Sequence, residues 1–119
     1  MQNSGRFEAL FGQLKAQGRS GLYPFVTAGD PDLAFTRRLL PALAEAGADG
    51  FEIGVPFSDP LADGPTIQRA SMRSLKGGTT LKSVIELVAD VRAEMPDAPI
   101  VLMTYYNPII AYGLKAFCS

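Results

Sequence analysis

FEIGVPFSDPLADGPTIQ, residues 51–68, packs a strand, a stiff loop and a helix start into eighteen residues. Phe51, Ile53 and Val55 alternate with Glu52 and Gly54, the period of a strand whose two faces meet different surroundings. The spacing predicts a strand over residues 50–55. A loop follows that contains Pro56, Pro60 and Gly64, and a helix opens at Pro65, where a missing N–H costs nothing. If the apolar face packs on helices, Glu52 points the other way, toward a barrel interior, and lies near the carboxyl end of its strand. That end is where catalytic groups gather in parallel α/β folds. A lone carboxylate at such a place is expensive to bury without a partner or a chemical task.

Working outward, Phe7, Leu10, Phe11 and Leu14 fall at i, i+3, i+4 and i+7, predicting an amphipathic helix opened near Ser4 and stopped at Gly18. A short strand is expected over residues 22–27, then a turn in which Asp30 and Pro31 serve as N-cap and first helical residue. The next helix carries Phe35, Leu39, Leu43 and Ala46 on one stripe and closes at Gly47, with a bend expected at Pro41. The helix from Pro65 should end at Gly77-Gly78. Another, with Leu81, Val84, Ile85, Val88 and Val91, should be capped by Thr79 or Thr80 and finish before Pro96. The nearly continuous apolar run over residues 100–105 predicts a strand buried on both faces, and a last helical piece begins near Leu114.

Strands alternating with helix-length crossovers imply parallel pairing in right-handed βαβ units. The expected fold class is α/β: a partial (β/α)8 barrel of the TIM type, made of an N-terminal helix and the first three βα units, with residues 1–119 as a single partial domain. Three parallel strands would leave open sheet edges that invite association.

Eleven basic and twelve acidic residues give a net charge of −1. Scattered lysines and arginines form no stripe for nucleic acid or an anionic membrane. There is no histidine, and the single cysteine, Cys118, has no histidine to activate it and no cluster for a soft metal. No apolar run reaches the ~18–20 residues of a membrane span, so a cytoplasmic protein is expected. Without histidine, acid–base chemistry falls mainly to carboxylates. Glu52 is either catalytic or paired with a base from elsewhere. Local grounds favour capping over catalysis for Asp63, just before Gly64-Pro65, and a turn role for Asp59 before Pro60. Phe25 reads as core, while Tyr105, Tyr106 and Asn107 either line a pocket or close the core.

PFVTAGDPD (residues 24–32) and GADGFEIGVPFSDPLADGPTIQ (residues 47–68) resemble the amino-terminal half of the tryptophan synthase alpha chain family. The resemblance implies a (β/α)8 barrel of ~250 residues that cleaves indole-3-glycerol phosphate to indole and glyceraldehyde 3-phosphate. It assigns Glu52 as general acid/base and Asp63 as the second catalytic carboxylate, facing the indole N–H. Phe25, Ile67, Met103 and Tyr105 would border the indole pocket. Pro56 and Asp59, with Asn107 and Pro108, would face a beta chain in an alpha2-beta2 tetramer. That partner holds pyridoxal phosphate; the alpha chain needs no cofactor and no metal. The family's phosphate-binding loops come later in the barrel than these residues, so the chain alone is expected to be inactive. The alternative is a noncatalytic partial barrel acting in binding or assembly. The long block around Glu52 and Asp63 argues against a different phosphate-sugar barrel.

Overall fold

The computed structural model describes residues 4–119. Its strands are β1 (Phe25–Thr27), β2 (Phe51–Gly54) and β3 (Ile100–Met103), and its helices are α1 (Ser4–Gln17), α2 (Leu33–Glu45), α3 (Pro65–Lys76), α4 (Leu81–Arg92), α5 (Tyr106–Tyr112) and α6 (Leu114–Cys118). The strands form one parallel sheet in the order β1-β2-β3. Phe25, Glu52 and Val101 share one lateral row, and Thr27, Gly54 and Met103 the next but one. Lateral partners point to the same face, so these six residues define an inner face.

On the outer face, Phe51, Ile53 and Val55 enter a core with Leu40 of α2 and with Leu81, Val84, Leu87 and Val91 of α4. Burying each such side chain stabilises the fold by about 1.5–3 kcal/mol. The inner face is the chemically distinct one. Val101 and Met103 are 40% and 50% exposed there, so among the described residues only the outer side of β3 is packed.

Three local expectations also change. Helix α2 is capped by Asp32, which accepts from the Phe35 N–H at 2.7 Å, rather than by Asp30. Asp30 is engaged elsewhere, in a two-toothed ion pair with Arg73 at 2.8 and 2.9 Å. Residues 22–24 lie outside β1, with Leu22 exposed. The third strand ends at Met103 rather than at residue 105, and helix α5 follows; Pro108 falls in its first turn, where the missing N–H has no intrahelical acceptor to lose. Elsewhere the patterns hold: Thr80 caps α4 in a reciprocal capping box with Ser83, Gly78 takes φ +89° after α3, and α2 runs through Pro41.

Helix α1 crosses the amino-terminal ends of the strands. Its Leu14 is buried, its Phe11 ring lies 6.4 Å from that of Tyr23, and Arg6 donates to the Pro96 carbonyl at 2.9 Å. The same end is tied by Asp49, whose carboxylate accepts from Arg19 at 2.9 and 3.1 Å and from the Leu22 N–H at 2.8 Å. The Arg19 guanidinium, then the Leu22 N–H, hold the Asp49 carboxyl below the usual carboxylate range, and Arg73 does the same for Asp30. A carboxyl depressed in the folded state contributes stability above its unfolded pKa and loses that contribution as pH falls through its folded pKa. Urea midpoints are therefore expected to drop as pH falls from about 5 to about 3, and Asp49→Asn should remove part of that drop. Parallel pH profiles for the two proteins would refute it.

Candidate active site

The inner face opens at the carboxyl ends of the strands into a cavity of about 210 Å³. Its walls are Phe25 and Thr27 of β1, Gly54 and Val55 of β2, Ala62 and Asp63 of the following loop, Ile67 and Ser71 of α3, and Met103, Thr104 and Tyr105 at the end of β3. Strand alternation delivers Phe25, Thr27, Gly54 and Met103 there. Helix α3 delivers Ile67 and Ser71 because they are four residues apart and share a helix face. A side chain at position 54 would displace the Phe25 ring, since a Cβ there would lie 2.6 Å from its Cζ. The ring occupies the space that a side chain on β2 would fill.

Four residues assigned by resemblance to an aromatic pocket, Phe25, Ile67, Met103 and Tyr105, come together on this one cavity, and Asp63 joins them. Glu52 lies on the same inner face two residues before Gly54, beside Phe25 in register. It is half-buried and, among the described residues, has no basic partner; the ion pairs are Arg19–Asp49, Arg37–Glu94, Arg73–Asp30 and Lys82–Glu86. Asp63 does not cap α3: Gly64 is the N-cap, with Pro65 following, and no side chain bonds to the helix start. Placed one residue outside the cap, the Asp63 carboxylate stays available to the cavity.

The loop over residues 56–64 is anchored at both ends. Pro56 is buried. The Phe57 ring lies 5.2 Å from the Tyr105 ring, and the Tyr105 hydroxyl accepts from the Ala62 N–H at 2.9 Å. Asp59 is exposed and its carbonyl accepts from Leu61 N–H, a turn contact as expected. Asn107 and Pro108 sit in the first turn of α5, exposed and half-buried respectively, at the same end of the sheet. Sequence reasoning missed Thr27, Ser71 and Thr104, the hydroxyls of the wall, and also Gln68, whose amide reaches back to the loop. Only helical phase relative to Ile67 could have flagged Ser71. No group of three potential metal ligands occurs among the described residues, and no helix among them is long and apolar enough to cross a membrane.

Parallel strands, helices on one face, and carboxylates with aromatic residues at the strand ends define part of a (β/α)8-barrel enzyme scaffold. Sequence and structure comparisons narrow that class. The family model "Tryptophan synthase alpha chain" matches residues 11–119. A relative of that description from Geobacter sulfurreducens is 54% identical over 114 residues, covering 96% of this chain and 43% of the relative. One from Burkholderia mallei is 56% identical, with 96% and 42% covered. Among solved structures, tryptophan synthase subunit alpha from Legionella pneumophila superposes with a TM-score of 0.91 at 41% identity, covering 94% of this chain and 43% of that one. A Mycobacterium tuberculosis tryptophan synthase structure gives 0.83 at 37% identity, with 92% and 43% covered. The chain belongs to the tryptophan synthase alpha chain family. It spans 42–43% of the length of these curated relatives.

Proposed function

We propose that these residues form the indole half of an active site that cleaves indole-3-glycerol phosphate in tryptophan biosynthesis. The observation that carries the reading is the convergence of Phe25, Ile67, Met103, Tyr105 and Asp63 on one cavity. Its volume of about 210 Å³ is below the roughly 300–1,000 Å³ of sites for drug-sized ligands. It suits a bicyclic ring without the phosphorylated chain.

In this reading Glu52 delivers a proton to the ring carbon that bears the glycerol chain. The ring becomes an indolenine cation, and the Asp63 carboxylate stabilises the positive charge on its N–H. The Glu52 carboxylate left by that transfer takes up the proton of the neighbouring hydroxyl as the aldehyde carbonyl forms; the carbon–carbon bond breaks and its electron pair restores indole. Every step is a proton transfer or an electron-pair shift within the substrate, so no cofactor is required. The phosphate would be held by parts of a barrel beyond these strands, which leaves the 119-residue chain alone without detectable cleavage. Pro56, Asp59, Asn107 and Pro108 form the proposed rim for a beta chain carrying pyridoxal phosphate, in an alpha2-beta2 assembly in the cytoplasm.

Because the chain contains no tryptophan, indole fluorescence reports binding without background from that residue. Titration of indole with the chain is expected to give a saturable change. Gly54→Val should weaken it by roughly tenfold or more, since the new side chain takes the place of the Phe25 ring. Absence of binding to the unsubstituted chain, or equal binding by the variant, would refute the assignment of this cavity.

A further inference from the structure

The turn that carries Asp63 has few apolar anchors. Leu61 is 84% exposed and Ala62 is also exposed. What holds the turn is polar. The Asp63 N–H donates to the Pro60 carbonyl at 3.1 Å, closing a four-residue turn. The two carbonyls at its ends, Pro60 O and Asp63 O, both accept from Nε2 of Gln68, at 3.4 and 2.8 Å. A primary amide has two N–H bonds and can serve two acceptors at once. Gln68 sits on α3, one residue after Ile67, and its main-chain N–H bonds the Gly64 carbonyl at 3.0 Å as part of the first turn. The clamp thus joins the turn to a regular helix whose Ile67 and Ser71 form part of the cavity wall.

We propose that Gln68 is a positioning residue: its side-chain amide locks the turn over residues 60–63, so that the Asp63 carboxylate stands at the cavity wall in one orientation. The inference rests on the proposed role of Asp63 toward an indole N–H. A donor is needed at this position because both partners are carbonyl oxygens. Glutamate, of the same length but ionised, would repel them, and methionine would fill similar space with no N–H.

The test uses the 119-residue chain with two probes, indole and 1-methylindole, which lacks the N–H. The unsubstituted chain is expected to prefer indole by roughly tenfold, the range of a hydrogen bond to a charged group, and Asp63→Ala, which removes the acceptor, to abolish that preference. Gln68→Met and Gln68→Glu should also abolish it, retain 1-methylindole binding within about twofold, and raise amide exchange at Ala62 and Asp63 by about tenfold or more. A merely structural role for Gln68 would weaken both probes alike and lower the unfolding midpoint without changing the preference. An unchanged preference with unchanged exchange would overturn the proposal. If neither probe binds the unsubstituted chain, the indole reading fails on its own, and exchange at Ala62 and Asp63 still decides whether Gln68 locks the turn.

Discussion

Glu52→Gln is expected to abolish indole-3-glycerol phosphate cleavage in a barrel-length protein, with a loss of at least the about 10²–10⁴-fold assigned to a positioned general acid or base. A suitable protein joins residues 1–119 of this chain to the remaining barrel of the Geobacter sulfurreducens relative, which is 54% identical over the shared region. The argument is geometric. Glu52 lies on the inner face of the central strand, flanked in register by Phe25 and Val101, and no cation among the described residues pairs with it. Glutamine keeps the shape and removes the exchangeable carboxyl proton. The substitution should therefore leave the unfolding midpoint and indole binding close to those of the parent while turnover disappears. Steady-state release of indole measures it. An unchanged kcat would remove Glu52 from proton transfer.

The second large effect concerns stability. Gly29→Ala is expected to destabilise the fold by a substantial share of the about 5–15 kcal/mol typical of a folded domain. Two independent causes act at this position. Gly29 has φ +83°, a conformation that costs an L-residue roughly 1–2 kcal/mol. A Cβ there would also overlap Oγ1 of Thr79 and Oγ of Ser74, and both side chains are buried. Overpacking of that kind costs about 1–3 kcal/mol. Ser74 cannot swing away cheaply, because its hydroxyl donates to the Ala28 carbonyl at 2.6 Å. The Gly29 N–H is itself bound to Thr36 at 3.1 Å, so Gly29 ties the end of β1 to α2 while its neighbour Ala28 ties it to α3. Urea or thermal unfolding measures the loss. A shift no larger than that of Gly12→Ala, where nothing crowds the added methyl, would refute it.

Strand alternation in residues 51–55 correctly separated an apolar side from the side bearing Glu52, because a pleated strand has no other way to arrange successive side chains. The α3 start at Pro65 and the α4 stripe were equally legible. The missed features share a different origin. Asp30 was expected to cap α2, yet Arg73, forty-three residues away, takes its carboxylate and the cap passes to Asp32. Asp63 looked like a cap from its neighbours alone, but Gly64 occupies that position. Tyr105 was ambiguous between core and pocket; its hydroxyl turned out to hold the Ala62 N–H while its ring reaches the cavity. Val101 and Met103 belong to an apolar run, but a run of that kind does not say which described elements cover each face, and on the inner face none packs over them.

Periodicity, capping residues and turn residues act over a few positions, so the order of strands and helices, the parallel class of the sheet and the inward aim of Glu52 were written in the chain itself. Which loop carbonyls meet the Gln68 amide, which ring fills the space over Gly54, and which five candidate residues line one cavity depended on contacts between elements up to eighty residues apart. Those contacts are set by packing three strands and α3 at once, and no local pattern encodes them. Glu52 was therefore visible from alternation, while the cavity on its face of the sheet, lined by Asp63 and not by Glu52 itself, exists only once the sheet is assembled.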